Sequence, residues 1–178
     1  MKIYIILTDT GTLLSKIIKF YTRDEFSHVS LSLDIELKNM YSFGRLNPYN
    51  PFIGGFVHEY IDKGTFKRFI NTKAKIVELD TNDKQYRKMQ EIIKQMELNK
   101  SSYKFNILGL FAVAFNMKIR VKNSFYCAEF VKYLMEKSEI NLNLPDLVKP
   151  EDFKNICEGQ EIYKGFLKNY KVKQQKMV

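Results

Sequence analysis

Cys127 is the residue whose type and setting most directly indicate chemistry. Two polar residues suited to helix capping, Asn123 and Ser124, precede it, and apolar residues at helical spacing follow it from Phe130 to Met135. We therefore expect Cys127 in the first turn of a helix. There, unpaired backbone N–H groups and the positive end of the helix dipole favour the thiolate over the thiol. A thiolate nucleophile needs a partner for proton transfer.

His28 is the better candidate for that partner among the two histidines of the chain. Polar residues at 28, 30, 32 and 34 alternate with apolar residues at 29, 31, 33 and 35, which is the period of a half-buried strand. A cysteine at a helix start and a histidine on a strand is the pairing that cysteine nucleophile chemistry requires. His58 stands beside Glu59 without ligand-spaced companions, and we interpret it as structural.

Both candidates also have a structural interpretation. A lone cysteine on an amphipathic helix is often a small core residue, and a lone histidine on a strand often has no catalytic role. Residue spacing alone leaves both interpretations open.

The motifs around the two residues resemble those of permuted papain-like cysteine hydrolases, in which the His strand precedes the Cys helix. The stretches that carry the resemblance are 15–23 with Phe26-Ser27-His28-Val29, and Phe125-Tyr126-Cys127-Ala128-Glu129-Phe130-Val131. This group includes the NlpC-type amidases, their YiiX-like relatives and the lecithin:retinol-acyltransferase-like proteins. The resemblance covers about residues 2–147 and implies an α+β fold, with an antiparallel sheet packed against helices.

The resemblance also implies a third polar residue that orients the imidazole, on the strand after the His strand. Ser42 falls in that place here, so the predicted catalytic residues are Cys127, His28 and Ser42. Cys127 would attack a carbonyl carbon while its backbone N–H helps to hold the oxyanion. Tyr4 and Tyr126 are candidates for an additional hydroxyl donor.

Three functions remain open at this point. The favoured one is a cysteine-dependent hydrolase that acts on an amide bond, of the peptide or cell-wall type, by a Cys–His mechanism. The second is a lipid acyl hydrolase or acyltransferase on the same scaffold, for which the apolar stretch 105–115 and a basic tail would be suited. The third is a binding module that keeps the fold without activity. The expected partner is accordingly a small peptide, amide or acyl-ester substrate, and the oligomeric state is open.

Composition limits the number of domains and the classes of partner. A chain of 178 residues with 45% hydrophobic content is long enough for one packed domain, which we place at 1–167, with a basic tail at 168–178. The net charge of +9 is concentrated in the lysines near the C-terminus, and no nucleic-acid-binding motif accompanies it. We expect no specific nucleic-acid partner, but weak contact of the tail with anionic surfaces.

Cysteine and histidine usage predicts the compartment and the cofactors. Two cysteines, Cys127 and Cys157, provide no disulfide framework, and no export signal is visible, so we expect a cytoplasmic protein. Two histidines without a cysteine cluster predict no metal site and no cofactor. We expect no functional role for Cys157.

Periodicity predicts the elements that position these residues. Strands are expected at 3–7, 27–34, 38–43, 56–60, 66–70 and 75–79, with an edge strand at 161–167. Helices are expected at 86–96, at 105–115 as a buried helix, after Cys127 and at 151–156. A further helical stripe of Leu13, Leu14, Ile17, Ile18 and Tyr21 would be capped by Thr10 or Thr12. The Pro- and Gly-rich stretch 44–55 is expected to be a loop, which either forms one wall of a substrate cleft or is a plain surface connector.

Overall fold

The computed structural model describes residues 1–12, 15–16, 19–20, 23–114, 117, 119, 121–156 and 159–172. Its strands are β1 Lys2–Asp9, β2 His28–Ser32, β3 Met40–Asn47, β4 Asn50–Glu59, β5 Lys73–Asp80, β6 Lys104–Phe105, β7 Ser124–Phe125 and β8 Gly159–Phe166. Its numbered helices are α1 Gly64–Arg68, α2 Asp83–Leu98, α3 Ile107–Ala114 and α4 Cys127–Lys137. Short 3₁₀ turns lie at Lys100–Ser102, Pro150–Phe153 and Leu167–Asn169.

Six strands form one antiparallel sheet in the order β4-β3-β2-β1-β5-β8. The predicted α+β class with an antiparallel sheet is therefore confirmed. Strands β6 and β7 form a separate parallel pair, and β7 leads directly into α4. The predicted edge strand corresponds to β8, which lies at one edge of the six-stranded sheet.

The central strand β1 has a continuous apolar sequence because both of its faces are buried. Ile3, Ile5 and Leu7 belong to a large core cluster shared with α2 and α4. Tyr4 and Ile6 belong to a smaller cluster on the alternate residues. A strand buried on both faces has a continuous hydrophobic run rather than an alternating one.

Helix α2 matches its predicted position and is fixed by local capping. The Asn82 side chain accepts a hydrogen bond from the Gln85 backbone N–H, and the Gln85 side chain accepts one from the Asn82 backbone N–H. Its buried face carries Met89, Ile92, Ile93 and Met96 into the large cluster.

The apolar helix α3 is only partly buried. Leu110 and Val113 lie in the core, whereas Leu108 is 64% exposed. The prediction of a buried helix is thus correct for one face. Within the described residues, no helix combines the length and the apolar character needed to cross a bilayer.

Two segments differ from the sequence prediction. Residues 64–68 form the short helix α1, so a strand at 66–70 was wrong; Phe66 alone points into the smaller core cluster. The stretch 44–55 lies mostly within the long β3–β4 hairpin, although Pro48 and Tyr49 do form its turn. Its glycines allow close approach, because a Cβ on Gly54 would lie 2.8 Å from the Gly44 carbonyl oxygen and from the Phe105 side chain.

The chain still packs on the fold beyond Leu167. Residues 167–169 form a 3₁₀ turn, and the Tyr170 hydroxyl donates to the Ile35 carbonyl at 2.8 Å. At the other end, Thr12 caps a helical segment, since its hydroxyl accepts from the Ser15 backbone N–H at 3.2 Å. The predicted stripe of Leu13, Leu14, Ile17, Ile18 and Tyr21 lies outside the described residues, as do Cys157 and 173–178.

Candidate active site

Cys127 is the first residue of α4, as predicted. Tyr126 is the N-cap residue, in extended backbone conformation and without a side-chain cap. Asn123 and Ser124 do not cap the helix, because the strand β7 continues through Phe125 and Asn123 adopts a turn conformation with φ of 54°. The first N–H groups of α4 therefore have no capping side chain from the N-cap position, and they surround a thiol that is 3% exposed.

His28 is the first residue of β2, and its ring lies between Cys127 and a carboxylate. Its Nε2 atom is 3.1 Å from the Oε1 atom of Glu59, the last residue of β4. The Ser30 hydroxyl lies 3.3 Å from the same Nε2 atom and donates a hydrogen bond to Oε2 of Glu59. The Cys127 side chain lines the same cleft as the ring and interacts with it electrostatically. Cys127, His28 and Glu59 are thus brought together from one helix and two strands.

Ser42 does not occupy the orienting position that the sequence predicted for it. It is fully buried, and its hydroxyl donates to the Val29 carbonyl at 2.8 Å rather than to the His28 ring. The paired register of β2 and β3 ends at Leu31 and Tyr41, so the Ser42 side chain replaces a ladder hydrogen bond next to this pair. Glu59, a residue of the following strand, contacts the imidazole instead.

The charges around His28 stabilise its protonated form. Burial of the ring opposes protonation, but the Glu59 carboxylate and the Cys127 side chain outweigh it and raise the pKa of His28 to about 10. The His28 and Glu59 side chains are only 19% and 12% exposed, so water screens their attraction weakly. At neutral pH the arrangement therefore favours an imidazolium held between a carboxylate and a sulfur.

A cleft opens beside these three residues. Its polar wall is supplied by the segment between β1 and β2, by β3 and by α1, through Thr10, Thr12, Ser15, Ser27, Arg45 and Thr65. Its apolar wall comes from four elements, through Phe43, Phe66, Phe105 and Leu110. Gly44 and Gly54 of the β3–β4 hairpin complete the lining, so the stretch 44–55 does wall the cleft, although as a hairpin.

Gly44 has a specific place in the site. A Cβ atom there would lie 3.5 Å from Cε1 of His28 and 3.6 Å from Oε1 of Glu59. Both distances are ordinary van der Waals contacts, so position 44 lies directly against the imidazole and the carboxylate.

Neither tyrosine considered as an oxyanion donor lines the cleft. The Tyr126 hydroxyl donates to the Val148 carbonyl at 3.0 Å. Tyr4 belongs to the smaller core cluster, where burial and the nearby Glu78 raise its pKa. The backbone N–H groups at the start of α4 are left as the donors nearest to Cys127.

His58 is placed away from this site and has local partners. Its ring stacks between Tyr41 and Tyr60, with centroid distances of 4.6 and 4.4 Å, and its Nε2 atom lies 2.7 Å from the Lys38 carbonyl oxygen. Among the described residues, no group of three or more His, Cys, Asp or Glu side chains is arranged to hold a metal ion.

Sequence reasoning missed two residues of the cleft, Glu59 and Arg45. Glu59 attracted attention only as the neighbour of His58, although it ends a strand and is the last acidic residue before the turn to α1. Its polarity among the largely apolar residues of 56–60 was the available signal. Arg45 follows Gly44 in a stretch of loop composition, which gives no sign that it lies on β3.

Comparison of the chain with protein-family models, with curated proteins and with solved structures found no match.

Proposed function

We propose that the protein is a cysteine-dependent hydrolase that cleaves an amide bond, with Cys127 as nucleophile, His28 as acid and base, and Glu59 as the residue that orients His28. The observation that carries the proposal is that a thiol at a helix start shares one cleft with an imidazole, and that this imidazole is paired with a carboxylate. A nucleophile, a base and an orienting group in this order are the arrangement from which covalent catalysis is recognised. We also propose that sheet and helix form a permuted papain-like fold.

The reaction follows from the charges at the site. Glu59 holds Nε2 of His28, which leaves Nδ1 as the ring nitrogen for exchange with the sulfur and the substrate. The Cys127 thiolate attacks the carbonyl carbon, and the carbonyl π electrons move to the oxygen near the N–H groups of α4. The His28 imidazolium then gives its proton to the leaving nitrogen as the C–N bond breaks. Neutral His28 next removes a proton from water, which attacks the thioester and releases the acid and the thiolate.

The second enzymatic candidate is supported by one observation. Helix α3 contributes Leu110 to the cleft and exposes Leu108 and Phe111 beside it, so an apolar surface adjoins the site. An acyl chain would suit such a surface, and an acyl ester would be cleaved by the same residues.

Reaction with iodoacetamide tests the nucleophile directly. All variants carry Cys157→Ser so that Cys127 is the single thiol. We expect alkylation at pH 6.5 to be much faster than for a free thiol, since the neighbouring imidazolium and the helix start activate the sulfur as a nucleophile. We expect it to slow on the order of tenfold or more in His28→Ala. A rate no higher than that of free cysteine, unchanged in His28→Ala, would mean a core cysteine, and the binding-module interpretation would then be favoured.

Substrate comparison separates the two enzymatic candidates. Wild-type protein is offered aryl amides of short peptides and aryl esters of short fatty acids, and Cys127→Ala serves as the control. Turnover of the amides that requires Cys127 supports the amidase, whereas turnover confined to the acyl esters would favour the lipid hydrolase.

A further inference from the structure

Arg45 is a charged residue of the cleft that the proposed reaction does not use. It lies on β3 directly opposite Gly54 of β4, and both residues line the cleft together with Cys127. Because Gly54 has no side chain, nothing on the opposing strand covers the guanidinium at this pair. The Arg45 side chain is thus presented to the same space as the nucleophile.

Arg45 has few partners within the described part of the chain. Its Nη2 atom donates to the Thr12 hydroxyl at 2.9 Å, and its guanidinium lies 5.8 Å from the centroid of the Phe69 ring. A guanidinium carries five N–H donors, so most of its capacity is not used by these contacts. The acidic residue of the cleft lining, Glu59, is engaged by His28 and Ser30 instead.

A second positive charge lies close to the first. Arg68, the last residue of α1, has its guanidinium 5.3 Å from the centroid of the same Phe69 ring and 4.1 Å from that of Tyr49. Burial and the charge of Arg68 both lower the pKa of Arg45. An arginine nevertheless stays protonated at neutral pH, so the charge of Arg45 on the cleft wall and the exposed charge of Arg68 near it have no carboxylate partner among the described residues.

Arg45 is half-buried without a carboxylate partner in the described residues, and the exposed Arg68 lies near it, so an anion bound at Arg45 would gain from both positive charges. Arginine is suited to this because its planar fork binds carboxylates and phosphates in bidentate fashion. The hydroxyls of Thr10 and Thr12, which line the same wall, supply further hydrogen-bonding groups.

We propose that Arg45, supported by Arg68, is the anion-recognition subsite of the cleft, and that the substrate carries a carboxylate or phosphate group near the bond that Cys127 attacks. This inference rests on the proposed hydrolase function. It narrows the substrates to anionic amides or esters and makes Arg45 a specificity-determining residue.

Two alkylating reagents of nearly the same size test the subsite, because iodoacetate carries a carboxylate where iodoacetamide carries a neutral amide. The quantity measured is the ratio of their rate constants at Cys127 in a Cys157→Ser background. Taking this ratio cancels changes in thiolate population, which affect both reagents equally. We expect the iodoacetate to iodoacetamide ratio to fall on the order of tenfold in Arg45→Gln and less in Arg45→Lys. Lys63→Gln removes an exposed charge elsewhere and should leave the ratio unchanged.

A second experiment uses the wild-type protein alone and measures how well anions protect Cys127 from alkylation. At constant ionic strength, acetate and inorganic phosphate are compared with chloride for slowing of iodoacetamide alkylation. Stronger protection by phosphate identifies a phosphate group, and stronger protection by acetate identifies a carboxylate. An unchanged ratio in a folded Arg45→Gln protein, or no protection by either anion, overturns the subsite. The hydrolase proposal would survive that result if the iodoacetamide rate still depended on His28.

Discussion

Replacing Glu59 with Gln tests the residue of the proposed catalytic group that the sequence did not predict. The substitution keeps the size of the side chain and one hydrogen-bond acceptor, but it removes the negative charge 3.1 Å from Nε2 of His28. At an effective dielectric constant of about 20, that charge contributes roughly 5 kcal/mol to holding the imidazolium. The retained amide oxygen and incoming water will recover part of this, so we expect the pKa of His28 to fall by about 2 units.

Two measurements follow this shift. The first is the titration of the His28 ring by NMR, in which the wild-type ring stays protonated to about pH 10 and the Glu59→Gln ring titrates nearer neutrality. The second is iodoacetamide alkylation of Cys127 at about pH 9, where the wild-type ring is still largely protonated and the Glu59→Gln ring is largely neutral; loss of the neighbouring positive charge should slow the reaction. Amide hydrolysis should fall by about two to four orders of magnitude, as for other orienting carboxylates.

Glu97→Gln is the matched control, because Glu97 lies 4.0 Å from Nδ1 of the other histidine, His58. It removes the same charge from the same kind of neighbour outside the cleft. If Glu59→Gln and Glu97→Gln give the same His28 titration and the same alkylation rate, Glu59 does not orient the imidazole. The reasoning from the 3.1 Å contact would then be refuted.

Two further predictions concern stability. Ser42→Ala should lower the free energy of unfolding, measured in urea, by about 1–2 kcal/mol, because the buried Val29 carbonyl loses its donor. Alkylation of Cys127 should be unchanged. Slower alkylation at unchanged stability would instead support a catalytic role for Ser42. The stability difference between wild type and Glu59→Gln should depend on pH, because the pKa of His28 is raised to about 10 in the folded protein. The contribution is complete below the unfolded value of about 6.5 and is lost as pH rises through 10. Denaturant midpoints of both proteins between pH 6 and 10 measure this, and a difference that grows with pH would contradict the sign.

The elements that could be predicted from sequence are those with strong local signals. Helix α2 has an apolar period and a capping box, and the sequences of β1, β2 and β5 have strand patterns at positions where the structure has strands. The helix start at Cys127 was also correctly placed, because the apolar spacing of α4 defines its first turn even though the expected caps do not form.

The errors arose where tertiary packing decides the outcome. Residues 64–68 contain aromatic and β-branched side chains, yet they form a helical turn that buries Phe66 alone. The stretch 44–55 has loop composition, but its glycines permit β3 and β4 to approach each other and Phe105. Composition alone does not distinguish a glycine that ends a strand from one that lets two strands pack closely.

The choice of Ser42 over Glu59 has the same origin and shows how the hairpin builds the site. Position 42 is next to the His strand in the chain, but the paired register of β2 and β3 stops at Leu31 and Tyr41, so Ser42 serves the backbone of β2. The β3–β4 hairpin then brings Glu59 back to the imidazole and holds Arg45 on the cleft wall. One connection therefore positions both the residue that would set the protonation of His28 and the residue that would select an anionic substrate. Because both depend on this pairing, a substitution that shifts the hairpin register should impair catalysis and anion selectivity together, whereas Arg45→Gln should impair selectivity alone.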